Sequence, residues 1–92
     1  MILMKSLTVD SLKDCFTTKN LNNYPSLADY KRIVQLLFKQ NYLQIYYEYG
    51  VTYLLILINY FEQNDEYEIC GKIKKCIEDI NKVTGYQNKT KL

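Results

Sequence analysis

The chain has no histidine and no tryptophan, a single proline (Pro25), a single arginine (Arg32), and only three glycines in 92 residues. Each shortage narrows what the protein can be. Without histidine the usual nucleophile–base pairs are missing. The carboxylate pairs Glu66/Glu68 and Glu78/Asp79 read as a helix start and a solvated helix face rather than an acid–base couple. Gly50, Gly71 and Gly85 are scattered and form no phosphate-cradling loop. No catalytic residue is assigned, and the chain is expected not to be an enzyme. Cys15, Cys70 and Cys76 lack the Cys-x-x-Cys spacing, and zinc would need all three thiolates plus a carboxylate or water, so neither metal nor cofactor is expected. The three thiols suit small buried side chains in a reducing cytoplasm. The apolar segment Met1–Met4 is cut off by Lys5 and is too short for a signal peptide. No apolar run approaches the roughly 20 residues that cross a bilayer, so no membrane is expected.

What is present is a hydrophobic share of 48% and one dominant apolar stretch, Val51–Phe61, VTYLLILINYF. It is apolar all round, which predicts a helix buried on most sides. Around it the pattern predicts further helices. Thr8 caps a helix over about 9–18 with Val9, Leu12, Cys15 and Phe16 on one face. Residues 19–25 form a loop that ends at Pro25. Ser26 and Asp29 make a capping box for a helix over about 27–40, with Leu27, Tyr30, Ile33, Val34, Leu37 and Phe38 inward. Residues 41–50, NYLQIYYEYG, suit a strand by propensity. No strand partner is evident, so a helical segment that kinks near Gly50 is preferred. The apolar helix runs to about Glu62. Gln63–Asp65 turns, and Asn64 or Asp65 caps a last helix over about 66–83 with Ile69, Ile73, Cys76, Ile77, Ile80 and Val83 inward. Gly85 closes it. The expected architecture is all-α: a single domain over 1–85, a bundle of about four helices around a central apolar helix, with a C-terminal antiparallel helical hairpin. Residues 86–92 are a basic tail.

Charge is distributed in blocks. Residues 1–39 carry six Lys/Arg and three Asp/Glu; residues 40–68 carry five acids and no base; residues 69–92 carry six lysines and two acids. The net charge of +2 is too small to argue for nucleic acid by itself. Ten tyrosines, together with abundant Lys, Asn and Ile, have the look of AT-rich coding.

Residues 64–80 resemble the UVR motif, a helical hairpin of bacterial nucleotide-excision-repair proteins and some protease regulators. Its pattern is roughly N-x-E-[FY]-E-x-A-A-x-[LI]-R-D. Asn64, Glu66, Tyr67, Glu68, Ile73 and the base Lys74 match it. Cys70 and Gly71 stand where the motif has two alanines, and Lys75 replaces its acidic residue. In that family the hairpin pairs with a second hairpin on a partner chain. The resemblance therefore implies that Tyr67, Cys70, Gly71 and Lys74 lie at or near a protein–protein contact. The alternative is an ordinary capped hairpin whose small residues allow close packing within the fold.

Three functional readings follow. In the first, the chain is a non-enzymatic protein-binding module, an adaptor or inhibitor. Tyr46, Tyr49 and Tyr53 share one helical face, Tyr42 lies one turn before Tyr46, and Tyr47 points elsewhere; with Tyr67 and with Glu48, Glu62 and Asp65 they would form an aromatic, acidic docking surface. Its partner would be another protein, for instance a nucleic-acid-handling enzyme with a basic groove. Small size, absent catalytic residues and AT-rich style suit inhibitors made by phages or mobile elements, including the anti-CRISPR type. The competing account of the tyrosines is that they fill a small core and its rim. The second reading is nucleic-acid binding through Lys72, Lys74, Lys75 and Lys82, for which a solvated helix face is the competing account. The third is self-association as a homodimer through the last hairpin.

Overall fold

The computed structural model describes residues 7–19, 21 and 23–84. Among the described residues there are five helices and no strand: α1 Val9–Thr17, α2 Leu27–Phe38, α3 Tyr42–Tyr49, α4 Val51–Gln63 and α5 Tyr67–Thr84. The expected Gly85 cap and the tail 86–92 lie outside the described residues, as does the chain before Leu7.

Local chemistry sets the boundaries. Thr8 Oγ1 accepts from the Ser11 amide at 3.0 Å, and Ser11 Oγ accepts from the Thr8 amide at 3.0 Å, so α1 opens with a reciprocal capping box. The sequence reading found Thr8 but not Ser11. Ser26 and Asp29 form the same box on α2: Asp29 N donates to Ser26 Oγ at 3.2 Å, and Ser26 N donates to Asp29 Oδ2 at 3.0 Å. α2 stops at Phe38, short of the expected Gln40, because Gln40 takes a left-handed φ of 56° and the Asn41 amide folds back to the Leu36 carbonyl at 2.9 Å. Within residues 41–50 the chain is helical over Tyr42–Tyr49, so the count among the described residues is five rather than about four. Gly50, at φ 95° and ψ 171°, separates α3 from α4; that backbone region is open to glycine and strained for other residues. At the far end of α4, Asp65 has φ 60° and the Glu66 amide bonds the Phe61 carbonyl at 2.8 Å. The Asn64 side chain donates to the Tyr60 carbonyl at 2.8 Å and so closes α4.

α4 packs against α1, α3 and α5; α2 packs against α1 and α3; and α3 also meets α5. Leu12, Phe16, Tyr30, Ile33, Leu37, Ile45, Leu54, Leu57, Phe61, Ile69 and Ile73 form the core. Several expected inward positions face solvent instead. Leu27 and Phe38, at the two ends of α2, are exposed, while Leu36, absent from the expected stripe, is buried. α4 is not covered all round: Val51 and Leu55 are exposed. Val83, near the end of α5, is 86% exposed.

Candidate docking site

α3 is the short helix on which most of the expected tyrosine surface sits. Asn41 Oδ1 caps it by accepting from the Gln44 amide at 3.3 Å. Two polar clips then fix its rotation against α2. Arg32 makes a two-point contact with Glu48, Nη2 to Oε2 at 2.8 Å and Nε to Oε1 at 3.2 Å, and Gln44 Nε2 adds 2.8 Å to the same carboxylate. These bonds hold the Glu48 carboxyl below its ordinary range, the Arg32 bond first. One turn away in space, Tyr49 OH donates to Asp29 Oδ1 at 3.0 Å. Asp29 is held low by the Ser26 amide and then by this hydroxyl. Tyr49 is pushed up to about 12, by burial first and by its bond to Asp29 second.

The four-tyrosine face is turned inward against the core, which corrects the expected surface. Tyr42 is only 7% exposed. Tyr46, Tyr49 and Tyr53 are half-buried against the core. Tyr49 and Tyr53 stack at 5.1 Å with an interplanar angle of 3°, and Tyr53 meets Phe16 edge-on at 5.0 Å. The face is apolar enough to be consumed by packing, since each tyrosine removes a large ring from water. Glu48 remains accessible at its rim but is engaged by Arg32. Tyr67 is exposed, with its hydroxyl on Asp65 at 3.0 Å.

The hairpin residues also separate. Cys70 is buried and its Sγ donates to the Ile58 carbonyl at 3.4 Å, so it serves the α4–α5 packing rather than an outer contact. Gly71 is exposed and a methyl group there would meet nothing within 4 Å. Lys74 is exposed and bonds Glu62 of α4 at 3.3 Å. The expected lysine strip is divided in the same way. Lys72 and Lys74 point about 200° apart at 3.6 residues per turn. Lys72 bonds Gln40 at 3.3 Å, Lys75 pairs with Asp79 at 3.6 Å, and Lys82 is exposed near the end of α5.

What the fold does leave open is a groove between α3 and the second half of α5. It has a volume of about 250 Å³ and is lined by Leu43, Tyr46 and Tyr47 of α3 and by Cys76, Ile80 and Val83 of α5, with Asp79 as its one charged wall. Tyr47, placed outside the tyrosine face by the sequence reading, is 69% exposed, and Leu43 is exposed beside it. Burial and then Asp79 push the Cys76 thiol up, so it is not an activated nucleophile. The sequence held a signal for this groove. Leu43 and Tyr47 lie one turn apart on α3, on a different side from Tyr42 and Tyr49.

Among the described residues, no helix is long and apolar enough to cross a membrane. No cluster of three or more Cys, Asp or Glu there could hold a metal ion. No family model, curated protein or solved structure matches the chain. The likeness of residues 64–80 to the UVR hairpin thus rests on their residue pattern alone.

Proposed function

We propose that this chain is a non-enzymatic protein-binding module that takes apolar side chains of another protein into the groove between α3 and α5. The observation that carries the reading is the group Leu43, Tyr47 and Val83, three large apolar side chains exposed around one concave apolar surface. Single exposed apolar residues are ordinary, but a contiguous group around a groove marks an interaction site. At about 250 Å³ the groove is smaller than the usual small-molecule pocket and suits the side chains of a docked helix. In this arrangement α4 is the central helix, and the antiparallel α4–α5 hairpin projects the far end of α5 as one wall of the groove. The finer form of the reading, an inhibitor of a nucleic-acid-handling enzyme made in the cytoplasm by a phage or mobile element, rests on size and coding style alone.

The test compares wild-type protein with Val83→Glu, each immobilised and exposed to a lysate of the source cells. Val83 is exposed, so the variant should keep its helical circular dichroism. A specific protein retained by the wild type and lost with Val83→Glu supports the reading; identical retention by both overturns it.

A further inference from the structure

α3 is an eight-residue helix set between two backbone joints, Gln40 at φ 56° and Gly50 at φ 95°. The left-handed turn at Gln40 is costly for a residue that carries a side chain. Tyr42, inside the helix, adds a second cost, because its buried hydroxyl finds no partner among the described residues. Burial of Ile45 and of the Tyr42 ring works against these costs. So do two polar contacts, and each runs through a carboxylate: Glu48 takes Arg32 at 2.8 Å, and Asp29 takes the Tyr49 hydroxyl at 3.0 Å. The rest of the bundle stays connected without α3, since α4 packs on α1 and α5, and α1 packs on α2. Once undocked, a helix of eight residues is too short to hold itself together in water.

We propose that α3 is an acid-released latch: it opens from the bundle as a unit about the Gln40 and Gly50 joints, and loss of charge on Glu48 and Asp29 favours the open form. Above the ordinary carboxylate range both contacts are complete. Both carboxyls are held below that range, Glu48 by Arg32 first and Asp29 by the Ser26 amide first. The contacts are therefore lost as pH falls through the lowered values. The other groups facing them, Arg32 of α2, Tyr49 of α3 itself and Tyr53 of α4, keep their charge state over that window. From α5, Glu68 and Cys76 lie near Tyr42 instead. Opening carries Leu43, Tyr46 and Tyr47 away from α5 and so dismantles one wall of the groove. That consequence rests on the docking reading above; the latch itself does not.

Residue-resolved amide hydrogen exchange of the full chain, followed by NMR, is the test. In the wild type at neutral pH the amides from Tyr46 to Gly50 should be protected, but at least about tenfold less than those of α4 and α5, the mark of an opening short of global unfolding. Combining Glu48→Gln with Tyr49→Phe should cut protection over α3 about tenfold further. Neither substitution touches the Ser26–Asp29 box of α2. Arg32→Gln removes the same ion pair if Glu48→Gln alters the helical circular dichroism. In acid, after correction for intrinsic rates, wild-type protection should fall first over α3, and the combined variant should show little further dependence on pH there. Equal protection over α3, α4 and α5 overturns the proposal, because the helix then opens only with the whole molecule. So do α3 amides that are unprotected in the wild type, or protection that the substitutions leave unchanged. A pH dependence kept in full by the combined variant also overturns it and assigns the effect to another acid, Glu68 first. None of these readings uses a bound partner, so the docking reading stands or falls separately with Val83→Glu.

Discussion

Tyr49 and Asp29 are one hydrogen bond apart, yet they carry two jobs: Asp29 caps α2 with one oxygen and anchors α3 with the other. The capping role is legible in the Ser26-x-x-Asp29 spacing. The tyrosine partner is not, because it depends on how two helices meet. Tyr49→Phe should destabilise the protein by about 1 kcal/mol at neutral pH, the usual value of one such bond, as read from urea denaturation. The pH dependence has a definite sign. Folding raises the Tyr49 hydroxyl from about 10 to about 12. Its contribution is therefore complete below about 10 and is lost as pH climbs through 12. The stability gap between wild type and Tyr49→Phe should close over that window. Asp29 runs the other way: its lowered pKa gives a contribution present above the ordinary carboxylate value and lost as pH falls through the lowered one. Tyr42 offers the opposite test. Its hydroxyl is buried and finds no partner among the described residues. Removing an unsatisfied buried group relieves a desolvation cost of about 1–3 kcal/mol, so Tyr42→Phe should raise the unfolding midpoint. A lowered midpoint would show that the hydroxyl is bonded.

Two glycines make opposite predictions at the level of the helices. Gly50 sits at φ 95°, where a side chain would meet no neighbour but the backbone itself is strained. Gly50→Ala should cost about 1–3 kcal/mol, seen as a lower thermal midpoint. Its effect is on the joint: the bend there frees α3 to be clipped to α2 while α4 packs elsewhere. Gly71 lies inside α5 with open space around it. Gly71→Ala should therefore stabilise the chain by about 0.5–1 kcal/mol through helix propensity. That outcome also separates two accounts of the residue, since a glycine needed for close helix approach would be destabilised by the same change. The break at Gly50 could be read from the sequence. Which way the tyrosines of α3 would face could not, because the Arg32–Glu48 and Tyr49–Asp29 clips pair residues 16 and 20 positions apart.

At the scale of the whole molecule, three ion pairs among the described residues offset part of the charge seen in the sequence. Glu48 meets Arg32, Glu62 meets Lys74, and Asp79 meets Lys75. These are surface pairs, screened by solvent and salt, but they reduce the field that would draw in phosphates. Fluorescence anisotropy with duplex DNA at physiological salt should accordingly show affinity no better than the non-specific range of about 10⁻⁴ to 10⁻⁶ M. A steeply salt-dependent, tighter complex lost on replacing Lys72, Lys75 and Lys82 would restore the nucleic-acid reading.

The helical character of this chain, the points where its helices begin and break, and the segments apolar enough to make a core can all be read along the chain. These are local properties, set by capping side chains, by glycine and by spacing along the chain. Which apolar side chains are used up depends instead on how the helices meet. The tyrosines of α3 went inward with Ile45 on the core side of the helix, and Val83 stayed exposed near the end of α5. Five helices of unequal length cannot cover every apolar position, and what is left over, Leu43, Tyr47 and Val83 around one groove, is settled by packing geometry rather than by any local pattern.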